Sequence, residues 1–306
     1  MKNLVNISIT SGYENLESII SSAIDNIGGL ELKDGDRVII KPNLCNIRDP
    51  SSGAITHPLF IDSLLCYLRK TYNDLQITFI ESDATSSRPD ITLKWFGFDK
   101  ILSKWGAKWY NVSNNPKIVR NINGLSFNEM EISDIFNDYD YFITLPKLKT
   151  HSLTKITVSL KNQFGCIPYK IKSKYHRNID EVIADANLAM HPDLCLVDGI
   201  ISMGGGVAIY GNPIRSNLLI AGNDPVSVDT VSAKIFNYNS SSIKHIQLAK
   251  KVGVGSDKYI LVGNINDIKQ VRIDREYPLI KEIIFNVGRY IRDKHDLAKY
   301  FKRIQS

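Results

Sequence analysis

A chain of 306 residues with 43% hydrophobic and 23% charged side chains has a globular composition, which excludes a disordered or fibrous protein. The 38 lysines and arginines against 32 aspartates and glutamates give a net charge of +6. That mild excess admits anionic ligands but falls short of the dense basic footprint of a duplex DNA binder.

The opening residues, MKNLVNISITSGYENL, contain no uninterrupted apolar stretch of signal-peptide type. No later run approaches the roughly 18 apolar residues of a membrane span. The expectation is a cytoplasmic protein. Strands are predicted at 4–10 and 37–41, with an amphipathic helix near 15–27 between them. A helix follows Thr56 and His57, then a strand at 76–82, short helices near 90–105, and strands at 107–112 and 140–146. Beyond the central motif lie a helix at 178–190, strands at 193–199 and 217–222, and a helix at 224–236 opened by Asp-Pro.

Short continuous apolar runs alternating with helices predict an α/β fold, a mostly parallel sheet flanked by helices in Rossmann-like layers. We expect one domain over 1–276, with room for a small subdomain at 83–135. The tail, 277–306, carries seven basic and three acidic side chains, with apolar residues at helical spacing. It reads as an amphipathic helix packed on the body or on a second subunit of a homodimer; membrane-surface or nucleic-acid contact is the alternative.

The stretch LPKLKTHSLTKITVSLKNQFG, 145–165, holds four lysines, a histidine and several hydroxyls. It follows the end of a strand, where open α/β sheets bind ligands. In an extended chain Lys147, Lys149 and His151 share one face. A helix capped by Thr154 and stopped by Gly165 would align Thr154, Thr157 and Lys161 beside a core-facing apolar stripe. The two halves would then deliver three lysines, hydroxyls and an imidazole to one volume suited to an anion. Crowded, desolvated lysines repel, which lowers their pKa and suits one of them to act as a base or nucleophile. The competing explanation is a solvated strand edge protected by lysines.

Other strand ends add candidates. Lys41 and Asn43 flank Pro42 and serve either as ligand contacts or as turn residues. Thr56 and His57 precede a helix and are either caps or contacts. Glu81 and Asp83 could orient the lysines, bind a metal or cap a helix. Asp198 ends a strand ahead of Gly204, Gly205 and Gly206, which form either an anion nest or a flexible turn. The four cysteines (Cys45, Cys66, Cys166, Cys195) lack CxxC spacing and read as buried free thiols. No HExxH or GxSxG occurs, so neither a zinc-protease site nor an α/β-hydrolase elbow is expected.

With KPNL, THP, PKLKTH, SLKNQFGCIP, VDGIISMGGG and GNDPVSVDTVSA in this order, the chain resembles the family of domain of unknown function 362 over about 36–256. The resemblance implies an α/β domain with a shared pocket and no agreed reaction. Carried over, the pocket candidates are Lys41, Asn43, Thr56, His57, Lys147, Lys149, His151, Thr154, Lys161, Asn162, Asp198 and Asp229. Many relatives carry a ferredoxin-like portion with iron–sulfur clusters. This chain lacks such cysteines, so no intrinsic cluster is expected and the cofactor stays open. The sequence IES at 80–82 stands where relatives show a glycine-aspartate pair, which puts the part played by Glu81 in doubt. A weaker likeness in layout to the amino-terminal domain of lactate-racemase-type enzymes implies proton chemistry beside a carboxylate, as a fold-level analogy.

Two functions follow as expectations. The first is an enzyme acting on a small carboxylate or phosphate metabolite, of isomerase, lyase or condensing type, either cofactor-independent or metal-assisted. There Lys147, Lys149, His151 and Lys161 would move a proton and stabilise an oxyanion. The second is a non-catalytic module that holds an anionic cofactor for a redox partner.

Overall fold

The computed structural model describes residues 3–84, 87–205, 211–265 and 267–274. Gly206 and the expected helix at 277–306, with its proposed dimer contact, lie outside the described residues. The strands are β1 (Asn3–Ile9), β2 (Arg37–Pro42), β3 (Gln76–Glu81), β4 (Lys108–Asn111), β5 (Lys117–Asn121), β6 (Glu129–Ser133), β7 (Tyr141–Leu145), β8 (Lys147–His151), β9 (Lys155–Thr157), β10 (Leu194–Gly204), β11 (Asn212–Gly222) and β12 (Tyr259–Gly263). The helices are α1 (Leu16–Asn26), α2 (Pro58–Thr71), α3 (Pro89–Trp95), α4 (Phe98–Lys104), α5 (Ser159–Asn162), α6 (Ile179–Ala189), α7 (Pro225–Ile235) and α8 (Lys244–Lys251).

The main sheet runs β12-β1-β11-β10-β7-β2-β3-β4, with β8 paired to β10 and β9 paired to β8. The pairs β2–β3, β2–β7, β3–β4, β7–β10, β8–β10 and β1–β12 are parallel. The long β10–β11 hairpin inserts an antiparallel strand that pairs in turn with β1. The expected α/β architecture with a mostly parallel sheet is therefore present. The small antiparallel pair β5–β6 stands apart from the main sheet.

Helices cover both faces, so strand residues are buried on either side and the sequence reads as apolar runs. Val38 and Ile40 pack with α1 and α2 through Leu16, Ile20, Phe60 and Leu64. Ile39 points the other way, into a core with Val182, Val228 and Ile246 of α6, α7 and α8. From β2 the chain builds β3 and β4 outward on one side, then returns to place β7 on the other. The carboxyl ends of β2 and β7 therefore face a topological switch point, the usual ligand crevice of such sheets.

One local prediction is corrected. Residues 155–157 form β9, not the first turn of a helix. The β8–β9 hairpin pairs Lys149 with Thr157, Thr150 with Ile156 and His151 with Lys155. Lys155 takes a left-handed φ of 65° at the turn. β-Branched Ile156, Thr157 and Val158 favour extended backbone over helix. The helix is confined to the four residues of α5.

Candidate functional site

A cavity of about 430 Å³ opens at the carboxyl ends of β2 and β3, beside the β8–β9 hairpin and α5. Its size lies within the range of about 300–1,000 Å³ usual for small-molecule sites. Four lysines line it: Lys41 from β2, Lys149 from β8, Lys161 from α5 and Lys172. His151, Thr157, Glu81, Asn43, Asn162 and Cys45 add polar surface, and Leu153 and Phe164 an apolar wall.

The lysines differ in their partners. Lys41 is 1% exposed and ion-pairs with Glu81 at 2.8 Å. Its ammonium also donates to the Pro42 carbonyl and to Asn162 Oδ1. Glu81 is held in turn by the Leu44 and Ser82 amides. Lys149, 2% exposed, donates to uncharged acceptors, Asn43 Oδ1 and the Ala54 carbonyl, each at 2.8 Å. Lys172 donates to Ser82 Oγ and the Asp83 carbonyl. Lys161 makes no hydrogen bond or ion pair among the described residues; its ammonium lies 5.3 Å from the Phe164 ring centre.

Burial pushes Lys161 down to about 8, and the Lys149 charge reinforces the shift. Lys172 is likewise lowered to about 8, chiefly by burial. These are the directions expected when ammonium groups lose water and face one another. His151 is held well below its ordinary range by desolvation and by the Lys161 and Lys149 charges. Its Nδ1 accepts from the backbone N–H groups of Leu153 and Thr154. The neutral ring therefore carries its proton on Nε2, as a donor.

Supporting groups fix this wall. Asn162 Oδ1 accepts from Asn43 Nδ2, while its Nδ2 donates to Thr144 Oγ1 and the Lys41 carbonyl. Asp229 accepts the amides of Ser159 and Leu160, capping the short helix that carries Lys161. Burial raises the Asp229 carboxyl to about 8 against those bonds. Gly165 passes so close to the ion pair that a Cβ there would sit 2.7 Å from Lys41 Nζ and 2.8 Å from Glu81 Oε1. Only glycine fits that approach without displacing the pair.

Several residues expected on one wall lie elsewhere. Lys147 is fully buried and pairs with Asp198 at 2.7 Å, its cross-strand partner on β10, away from the cavity. Tyr13 donates to Asp198 and stacks on His57 with ring centres 3.8 Å apart. His57 caps α2 through Nδ1, and burial lowers it to about 4. Thr56 joins two strand ends, donating to the Leu145 carbonyl and accepting from the Asn43 amide. Thr154 closes the hairpin by donating to the Ile156 carbonyl. Gly204 ends β10 and Gly205 follows it with a left-handed φ of 85°; neither lines the cavity. Thus the cavity gathers Lys41, Asn43, Lys149, His151, Lys161 and Asn162, whereas Lys147, Thr56, His57, Thr154, Asp198 and Asp229 support neighbouring structure.

The sequence pattern does not mark Lys172 or Cys45 as site residues, yet both line the cavity. Lys172 lies in YKIKSKYHRN, which looks like a solvated basic run. Cys166 and Cys195 are buried, but Cys45 and Cys66 are only half-buried, contrary to expectation. The folding of the loop after β2 across the hairpin brings Cys45 to the cavity. Among the described residues no three histidine, cysteine or carboxylate side chains gather where a metal ion could be held. No helix among them is long and apolar enough to cross a membrane.

A family model described as a domain of unknown function, DUF362, matches residues 38–234. The thylakoid-associated protein sll1697 of Synechocystis sp. is 24% identical, covering 99% of this chain and 97% of its own length. Among solved structures, the lactate racemase apoprotein of Thermoanaerobacterium thermosaccharolyticum aligns with a TM-score of 0.43 at 12% identity. That alignment takes in 84% of this chain, which spans 58% of the racemase chain.

Proposed function

The chain belongs to the DUF362 family, a domain of unknown function, and we propose from its site that it is an enzyme acting on a small anionic metabolite. The observation that carries this reading is the charge imbalance of the cavity. Lys149 and Lys172 face uncharged acceptors and Lys161 faces none, while the Glu81 carboxylate is engaged by Lys41. Buried cations are costly unless paired, so a carboxylate or phosphate is the natural occupant.

The chemistry follows from the protonation states. Lys161, poised at about 8, exchanges a proton readily near neutral pH and serves as the acid–base group. His151 offers Nε2–H as a neutral electrophile to a carbonyl or carboxylate oxygen, rather than acting as the base. Lys149, held by Asn43 and the Ala54 carbonyl, stands ready to stabilise a developing enolate. Proton transfer beside a carboxylate, of isomerase, lyase or condensing type, is the reaction class that uses all three.

Incubation in deuterium oxide with a panel of hydroxy, oxo and phosphorylated acids tests the reading. Deuterium should enter one substrate at the carbon next to its carboxylate or carbonyl, and Lys161→Met should abolish the exchange. Recovery of an unchanged, stoichiometric anion with no exchange in any panel member would replace the enzyme with a binding module.

A further inference from the structure

We propose that Cys45 is a nucleophile that adds reversibly to the carbonyl carbon of a small 2-oxo acid held in this cavity. The proposal rests on the anion-binding reading above and narrows its substrate class. Cys45 is the cysteine that lines the cavity, and it is half-buried. Its sulfur lies 3.3 Å from Lys149 Nζ, 3.5 Å from Asn46 Nδ2, 3.5 Å from Asn43 Oδ1 and 3.7 Å from the Ala54 carbonyl. Lys161 interacts electrostatically with the same thiol.

A second feature points independently to a ligand. Thr157 is 4% exposed, lines the same cavity beside its cross-strand partner Lys149, and its hydroxyl has no hydrogen-bond partner among the described residues. A buried hydroxyl left unbonded is costly, and an oxygen-rich ligand would satisfy it. Lys161, Thr157 and the Nε2–H of His151 together present donors for more than one oxygen, beside the Lys149 charge. A 2-oxo acid supplies carboxylate and carbonyl acceptors on adjacent carbons, with an electrophilic carbon for the thiol.

The step is an addition without net oxidation or reduction. The sulfur–carbon bond forms, the carbonyl π pair moves to oxygen, and the thiol proton ends on that oxygen. Lys161 accepts the proton from sulfur and returns it to the new alkoxide, which His151 also stabilises. Breakdown retraces the same path, so no further reactant is needed.

Alkylation of the full chain by iodoacetate and iodoacetamide, which deliver one electrophile with and without negative charge, tests the thiol. Cys66 is the internal control, a half-buried thiol beside Lys70 but outside the cavity. The iodoacetate-to-iodoacetamide rate ratio at Cys45 should exceed that at Cys66 at least tenfold, a bias equivalent to about 1.4 kcal/mol. Lys161→Gln should bring it down toward the Cys66 value. Carbon-13 glyoxylate, as the carbonyl probe, should give a protein-bound tetrahedral carbon resonance that Cys45→Ser removes.

Loss of the rate preference together with no thermal shift on adding inorganic phosphate would overturn both this proposal and the anion-binding reading. Phosphate stabilisation with an unreactive Cys45, or a glyoxylate resonance that persists in Cys45→Ser, would overturn the thiol alone. Borohydride trapping of glyoxylate on a lysine would likewise replace the thiol with an imine.

Discussion

Lys147 and Lys149 lie two residues apart on β8, both buried, yet they face different worlds. Lys147 meets the Asp198 carboxylate, with Tyr13 and His57 packed around the pair. Lys149 meets neutral oxygens and a thiol at the edge of a cavity shared with Lys161 and Lys172. A buried cation whose anion is built into the chain belongs to the architecture. A group of cations without enough built-in anions leaves a charge for a ligand to complete.

The largest separation of the two regions should come from Asp198→Ala, which leaves Lys147 buried without its counter-charge. Urea denaturation should show a loss of about 3–5 kcal/mol. Lys161→Met removes a charge with no anion to lose, so its unfolding free energy should stay level or rise. An equal loss in both variants would erase the distinction.

Gly165→Ala tests how closely the cavity depends on the Lys41–Glu81 ion pair. The new methyl would press on Lys41 and Glu81 and should destabilise the fold by about 1–3 kcal/mol, as overpacked sites do. Phosphate affinity, measured by calorimetry, should fall in the same variant. Retention of both wild-type values would show that the pair yields without cost.

At the binding level, Lys161→Met should weaken phosphate or carboxylate affinity by about tenfold or more, equivalent to about 1.4 kcal/mol. Unchanged calorimetric affinity would remove Lys161 from the proposed anion site.

A change of pH tests the charges of the same cavity lysines. Lys161 and Lys172 titrate near 8 in the fold and near their ordinary 10.5 in the unfolded chain. Between those values the unfolded chain holds more protons, so these two groups make stability rise with pH. Below about 8 both states are protonated and the contribution is flat. An anion favours the charged lysines, so its affinity should decline as pH rises through 8. Affinity that climbs across that interval would contradict the proposed use of their charge.

Much of the fold was legible because its signals are local. The apolar run VIIK and the amphipathic helix near 15–27 announce themselves by periodicity, and Asp-Pro marks the start of α7, where Asp224 accepts from the Ser227 amide. The hairpin after Lys149 was misread because TKITVSLKN fits a helical stripe nearly as well as a strand. Pairing with β8 decided in favour of the strand, and only a fold can supply that pairing.

Sequence by itself determined that lysines and hydroxyls would crowd the end of a strand in an α/β sheet. It gave Lys147 and Lys149 the same local pattern and so could not rank them. Tertiary structure decided between them by bringing Asp198 to one and Asn43 and Cys45 to the other, across separations of 51, 106 and 104 residues. The physical reason is that periodicity assigns a side chain to a face, whereas its electrostatic partner depends on which distant strand end arrives there.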